Sequence, residues 1–190
     1  ANKMPLVEVV ASDKTSPEAI VTAVDICRKL GKTPIVVKDC PGFLVNRVFV
    51  TGANEIIRMY QEGVPQARLD KMMLDFGMPM APFVLADEVG NDVGYKVSKI
   101  FEESYGQRMA VPKILTLMYE NKLLGKKVGK GFYLYEGDKT KVNPEVEKLV
   151  KSLNEPSKEV SDTDMRDRVF LLMINEASRC LEEKVVANAA

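Results

Sequence analysis

The groups able to do chemistry here are carboxylates, amides and lysines, because the chain has no histidine. Acid–base catalysis near neutral pH most often uses that side chain. Its absence excludes Ser-His-Asp and Cys-His triads within this chain, and histidine metal sites with them. Glu8 stands in "PLVEVV" among Leu6, Val7, Val9 and Val10, where a carboxylate needs a partner or water. Strand alternation permits a solvent-facing edge position for it. Asn46, in "PGFLVNR", is a neutral amide near a helix start and can be satisfied locally. Asp87 and Glu88 precede Gly90 at the end of a short helical pattern; paired carboxylates can do acid–base work, but solvated or capping roles are expected here. "GKKVGKG" (125–131) invites a phosphate-loop reading and fails it. A P-loop has four residues between the first Gly and Gly-Lys, then Ser or Thr. Here only Lys126, Lys127 and Val128 separate Gly125 from Gly129, and Gly131 follows Lys130. A turn leading into a hairpin is expected instead. Met72, Met73, Met78 and Met80 read as core, with an adaptable apolar groove as the other reading.

Composition narrows the class. The 27 basic and 27 acidic residues balance, which speaks against a polyanion-binding protein. No apolar run approaches the roughly 20 residues of a membrane span. Cys27, Cys40 and Cys180 are odd in number and widely spaced, which fits a reducing compartment without a disulfide framework or zinc ribbon.

The elements that must position these groups begin with β-α-β. "PLVEVV" and "TPIVVKD" read as strands. Between them, Ser16 suits an N-cap, Pro17 the first helical position and Gly31 the C-terminal stop. Two apolar strands joined by a crossover helix must be parallel, and parallel strands are normally covered on both faces. Residues 1–39 therefore read as the end of a larger α/β domain. Helix then follows helix: one started by Pro41 and Gly42 and stopped near Gly63, one over 65–77 with Leu69, Met72, Met73 and Phe76 inward, and short ones at 82–88, 92–105 and 111–121. Residues 139–162 read as a polar linker with a short helix, and a last helix starts near Asp164.

That last helix repeats an earlier one. "RVFVTGANEIIRMYQEGV" (47–64) aligns without gaps to "RVFLLMINEASRCLEEKV" (168–185). Matching polar residues at a fixed offset favour duplication over chance likeness. Asn54 and Glu55, with Asn175 and Glu176, are therefore expected to act structurally between helices. The second copy stops before its partner helices, so the chain reads as a piece cut at both ends. Its bare apolar helix surface is expected to drive self-association, by exchange of the 163–190 helix.

"NKMPLVEVV", "VVKDCPGFLVNR", "FGMPMAPFVLADEVGNDV", "LGKKVGKGFYLY" and "INEASRCLEE", in this order and with the duplication, resemble 3-hydroxyacyl-CoA dehydrogenase. The resemblance is to the multifunctional form that serves as α-subunit of fatty-acid β-oxidation complexes. It implies a mainly α fold, a helical C-terminal dehydrogenase domain preceded by the last β-α-β of a Rossmann-like domain. The implied boundaries are 1–39, 40–138 for a first helical domain, 139–162, and 163–190 opening a second. It implies NAD-dependent oxidation of an L-3-hydroxyacyl-CoA to the 3-ketoacyl-CoA, in which a His takes the hydroxyl proton and a Glu orients that His. Glu8 occupies the position of that Glu, and Asn46 that of an amide near the substrate carbonyl. Both count among the implied catalytic residues, and Asn46 also as substrate-binding. Lys126, Lys127 and Lys130 are candidates for a CoA phosphate. The NAD loop and the His lie upstream in the family, so the chain alone is expected to be inactive. Implied partners are the acyl-CoA, a second copy through the helical domain, and a thiolase subunit, with no nucleic acid, metal or membrane span. The implied location is the cytoplasm in a bacterium or the mitochondrial matrix in a eukaryote. Two other readings stay open: a non-catalytic pairing and substrate-closing module, and the helical domain of a β-hydroxyacid-type dehydrogenase.

Overall fold

The computed structural model describes residues 4–137, 139–156 and 159–188. The sequence-based boundary at Asp138 and the two chain ends lie outside these residues. The chain forms two compact units, Ala1–Phe49 with Met173–Ala190, and Val50–Leu172.

In the first unit β1 (Leu6–Ala11) and β2 (Thr33–Lys38) pair in parallel, with Glu8 opposite Ile35. The crossover is α1 (Pro17–Lys29). Its caps are those the sequence proposes. Ala19 N–H donates to Ser16 Oγ at 3.3 Å, and Pro17 opens the helix. At the other end Gly31 takes a φ of +69°, letting Lys32 N–H return to Cys27 O at 2.9 Å. The opening turns of α2 (Val45–Gln61) and the closing turns of α8 (Asp162–Glu182) belong to this unit. Here Arg47, wholly buried, donates from Nε to Glu176 at 2.7 Å and from Nη1 to Glu183 at 2.8 Å. The helix start read at Pro41 and Gly42 moves to Val45, because Gly42 and Phe43 adopt positive φ of 78° and 50° and form a turn.

The second unit is built from α3 (Gln66–Phe76), α4 (Pro82–Val89), α5 (Asn91–Tyr105), α6 (Lys113–Glu120), an antiparallel hairpin and α7 (Pro144–Ser152). It also takes in the later turns of α2 and the earlier turns of α8. Its core holds Met59, Leu69, Phe83, Ile114, Met118 and Phe132, all fully buried or nearly so. Tyr60, Phe83 and Phe132 meet edge to face or tilted, with centroids 4.7–6.0 Å apart. Phe76, expected inward, is exposed at the last residue of α3, where its ring lies 3.9 Å from that of Phe170. The hairpin strands are β3 (Tyr133–Glu136) and β4 (Lys139–Val142). The stretch read as a linker thus supplies β4 and α7, and α7 buries Val146 completely.

The repeat has a physical meaning in this fold. The alignment that sets Arg47 on Arg168 also sets Glu55 on Glu176 and Glu62 on Glu183. In the second unit Arg168 donates to Glu55 and Glu62, both at 2.7 Å. Each arginine therefore binds the two glutamates of the other copy, in the same pattern. The expected structural role for the Asn-Glu pairs holds for both glutamates. Asn54 accepts from Ser98 Oγ at 3.2 Å.

Asp87, expected in a solvated or capping role, is 1 % exposed. Its carboxylate accepts Phe132 N–H and Tyr133 N–H at 2.9 Å, Asn91 Nδ2 at 2.8 Å and Tyr135 OH at 3.0 Å. "GKKVGKG" is the strap that passes over it. A Cβ on Gly131 would lie 2.0 Å from Asp87 Oδ1, and one on Gly125 2.4 Å from Asp87 O. The motif is therefore built around a buried acid.

Asp70 lies nearby in the same network, taking the Tyr133 hydroxyl and Phe83 N–H. Burial pushes its carboxyl up, and the bonds from Tyr133 and Phe83 offset this only in part. A folded-state value above the unfolded one means that stability is highest below the unfolded value and is lost as pH rises through the folded one. Asn at 70 removes the charge, keeps an acceptor for Phe83 N–H and can donate to the Tyr133 hydroxyl. The stability of Asp70→Asn relative to the unaltered chain is expected to rise between pH 4 and pH 7 in urea unfolding. A difference that stays flat or falls would contradict the assignment.

Candidate functional site

Glu8 is not a free edge carboxylate. Its Oε1 accepts Leu44 N–H at 2.9 Å and Val45 N–H at 3.1 Å. These belong to the start of α2, where backbone N–H groups lack helical partners and a partial positive charge collects. Glu8 thus caps a helix from a strand far earlier in the chain. No local pattern in the sequence signals this contact; only the pairing of β1 with β2 and the turn that follows create it. Asn46 is the second residue of α2 and is exposed. The fold brings Glu8 and Asn46 to the same helix end.

Between β2 and α2 the chain turns tightly. Phe43 N–H donates to Cys40 O at 3.0 Å, and Arg47 N–H to Gly42 O at 3.1 Å. Cys40 Sγ donates to Phe43 O at 3.6 Å. Beyond the turn, Arg47 and its two glutamates anchor α2 within the same unit.

The three lysines lie in the second unit, and each has a carboxylate. Lys126 pairs with Glu88, Lys127 with Asp92, and Lys130 with Glu145 at 3.8 Å. The Lys127 bond holds the Asp92 carboxyl below its usual range. An open cleft of about 450 Å³ beside α5 and α6 is lined by Tyr95, Lys99, Glu102, Lys113 and Glu120. Lys99 and Lys113 are bridged to Glu102 and Glu155 at 2.5 and 2.9 Å. Among the described residues, no three Cys, Asp or Glu side chains are grouped to hold a metal ion. No described helix is long and apolar enough to cross a membrane.

A family model of the 3-hydroxyacyl-CoA dehydrogenase NAD binding domain matches residues 1–40, and one of the C-terminal domain of that enzyme matches residues 42–135. The fatty acid oxidation complex subunit alpha of Vibrio cholerae is 44% identical over 188 residues, covering 98% of this chain and 26% of the relative. The chain thus spans about a quarter of the length of such relatives. The solved (S)-3-hydroxybutyryl-CoA dehydrogenase of Ralstonia eutropha superposes with a TM-score of 0.68 at 30% identity, over 71% of this chain and 49% of that one. The 3-hydroxybutyryl-CoA dehydrogenase of Escherichia coli K12 gives a TM-score of 0.80 over 97% of this chain and 56% of that one. At 20% identity, that last likeness speaks to the fold alone.

Proposed function

The chain belongs to the 3-hydroxyacyl-CoA dehydrogenase family, and from that premise we propose that it is the part of an NAD-dependent L-3-hydroxyacyl-CoA dehydrogenase that presents the histidine-orienting carboxylate and the helical domain. The reaction oxidises the 3-hydroxyacyl-CoA to the 3-ketoacyl-CoA in fatty-acid β-oxidation. The observation that carries this reading is the meeting of Glu8 and Asn46 at the N-terminus of α2. Glu8 would hold a histidine supplied from outside these residues and stabilise its cationic form. Asn46 would donate to the substrate carbonyl oxygen, on which negative charge develops when the reaction runs in reverse.

The residues present do not fit the dinucleotide phosphates. The loop between β1 and α1 holds no glycine. Ser12 N–H donates to Thr15 Oγ1 at 3.0 Å, and Ser16 takes up an N–H at the start of α1. NAD would be held by other parts of the enzyme. We place residues 40–138 as a first helical domain and 163–190 as the start of its repeat, in a subunit that works with a thiolase partner in the bacterial cytoplasm. Self-association would use the apolar α8 surface, where Leu171 and Ile174 are each 58 % exposed.

Lys126, Lys127 and Lys130 meet a CoA phosphate, in this proposal, by exchanging their carboxylates for it. An acyl-CoA titrated into the purified chain is expected to give a binding heat that charge reversal of the three lysines weakens. The same mixture with NAD is expected to give no NADH above background. Absence of heat would leave the helical region as a pairing module only. NADH formation would show that the chemistry needs no histidine, and would overturn the reading.

A further inference from the structure

We propose that the turn over residues 40–45 is a positioning device for Glu8: it aims two backbone N–H groups at Oε1 and so presents Oε2 to the imidazole. The proposal rests on the reading of Glu8 as the carboxylate that orients the histidine.

A glutamate on a strand has three rotatable side-chain bonds, and a histidine held by a swinging carboxylate is poorly oriented. Two N–H groups converging on one oxygen remove that freedom. In the chain both bonds fall on Oε1, from Leu44 at 2.9 Å and Val45 at 3.1 Å. Convergence requires the bend before α2. Phe43 adopts a φ of +50°, which a bulky L-residue rarely does, directly beside the site. Three bonds hold it there: Phe43 N–H to Cys40 O, Cys40 Sγ to Phe43 O, and Arg47 N–H to Gly42 O. Asp39 N–H, bonded to Ala11 O at 3.2 Å, ties the turn to the strand that carries Glu8.

The start of α2 has no cap of its own. An ordinary start would use Ser, Thr, Asp or Asn at the cap. This one has Phe43 and Leu44, whose side chains cannot accept a hydrogen bond. The helix start and the carboxylate depend on each other, and the strained turn is what makes them meet.

Val45 is the first helical residue, a position where proline is well accommodated. Val45→Pro therefore deletes one N–H with the helix retained. In the full-length protein carrying this segment, Val45→Pro is expected to lower kcat about tenfold, the loss of one such bond, with KM within about twofold. Val45→Ala, which restores the N–H, should recover the rate. Glu8→Gln should lower kcat about a hundredfold or more. An unchanged kcat in Glu8→Gln would reject the reading of Glu8 itself. A low kcat in Glu8→Gln with an unchanged one in Val45→Pro would reject the positioning device alone. Hydrogen exchange on the 190-residue chain decides the matter if Val45→Pro fails to fold. Glu8→Ala should strip protection from the Leu44 and Val45 amides and leave Val48 onward protected. Equal protection in both chains would overturn the proposal.

Discussion

Arg47→Met is expected to destabilise the fold by about 3–5 kcal/mol, the usual range for breaking a buried ion pair from one side. Arg47 is 0 % exposed and Glu176 3 %. Without the guanidinium, Glu176 loses a 2.7 Å charge-assisted bond, for which Arg179, half exposed and 3.9 Å away, is no equal substitute. The penalty is that of a buried charge left without its partner, not the net value of the pair. The double variant Arg47→Met with Glu176→Leu should therefore recover most of the loss, because both charges leave together. The repeat supplies an internal comparison. Arg168, Arg47's counterpart in the second copy, is 29 % exposed and makes the same two-glutamate contact. Water can partly replace that partner, so Arg168→Met should cost about 1–2 kcal/mol. Urea unfolding of the four proteins measures these differences. If Arg47→Met costs no more than Arg168→Met, burial is not what distinguishes the two copies.

Gly131→Ala should be as damaging, about 3–5 kcal/mol, through overpacking at a site that cannot yield. The new methyl would lie 2.0 Å from Asp87 Oδ1 and 2.6 Å from Gly125 Cα. Neither can retreat easily, because Asp87 is held by two backbone N–H groups, Asn91 and Tyr135, and Gly125 packs over the Asp87 backbone. Gly129 offers the contrast. It has a φ of +75° but only Tyr135 O near its missing Cβ, at 3.7 Å. Gly129→Ala should cost about 1 kcal/mol, a conformational effect alone. A 190-residue chain loses a few degrees in melting temperature per kcal/mol, so the two variants should separate by roughly 5–15 °C. Equal melting temperatures would show that the strap moves away from Asp87 freely.

These residues also show why some features were legible in the sequence and others were not. Ser16, Pro17 and Gly31 cap α1 through bonds spanning a few residues, so their types and spacing suffice. The duplication was visible because Arg, Asn and Glu recur in register within one helix. Which arginine meets which glutamate was not, since it depends on how α2 and α8 lie in each unit. Asp87 illustrates the limit most sharply. Its neighbours Glu88 and Gly90 suggest a solvated helix end, yet its four donors include Phe132, Tyr133 and Tyr135 far along the chain. The strap glycines are intelligible only once that acid is known to lie beneath them. Glu8 follows the same rule. Period-two alternation permits a solvent-facing carboxylate, and only the return of the chain through β2 and the Phe43 turn brings the start of α2 onto it. Family resemblance marked Glu8 as important, while the structure supplies the physical means of holding it.

The most direct measurement of that role is the steady-state rate of NADH formation from a 3-hydroxyacyl-CoA by the full-length protein carrying this segment, with Glu8 intact and as Glu8→Gln. Gln preserves the shape and an acceptor for the two N–H groups, but removes the charge that would stabilise an imidazolium. A kcat lower by about a hundredfold or more, with substrate affinity little changed, is the expected result. Equal kcat values in the two proteins would contradict the assignment of Glu8.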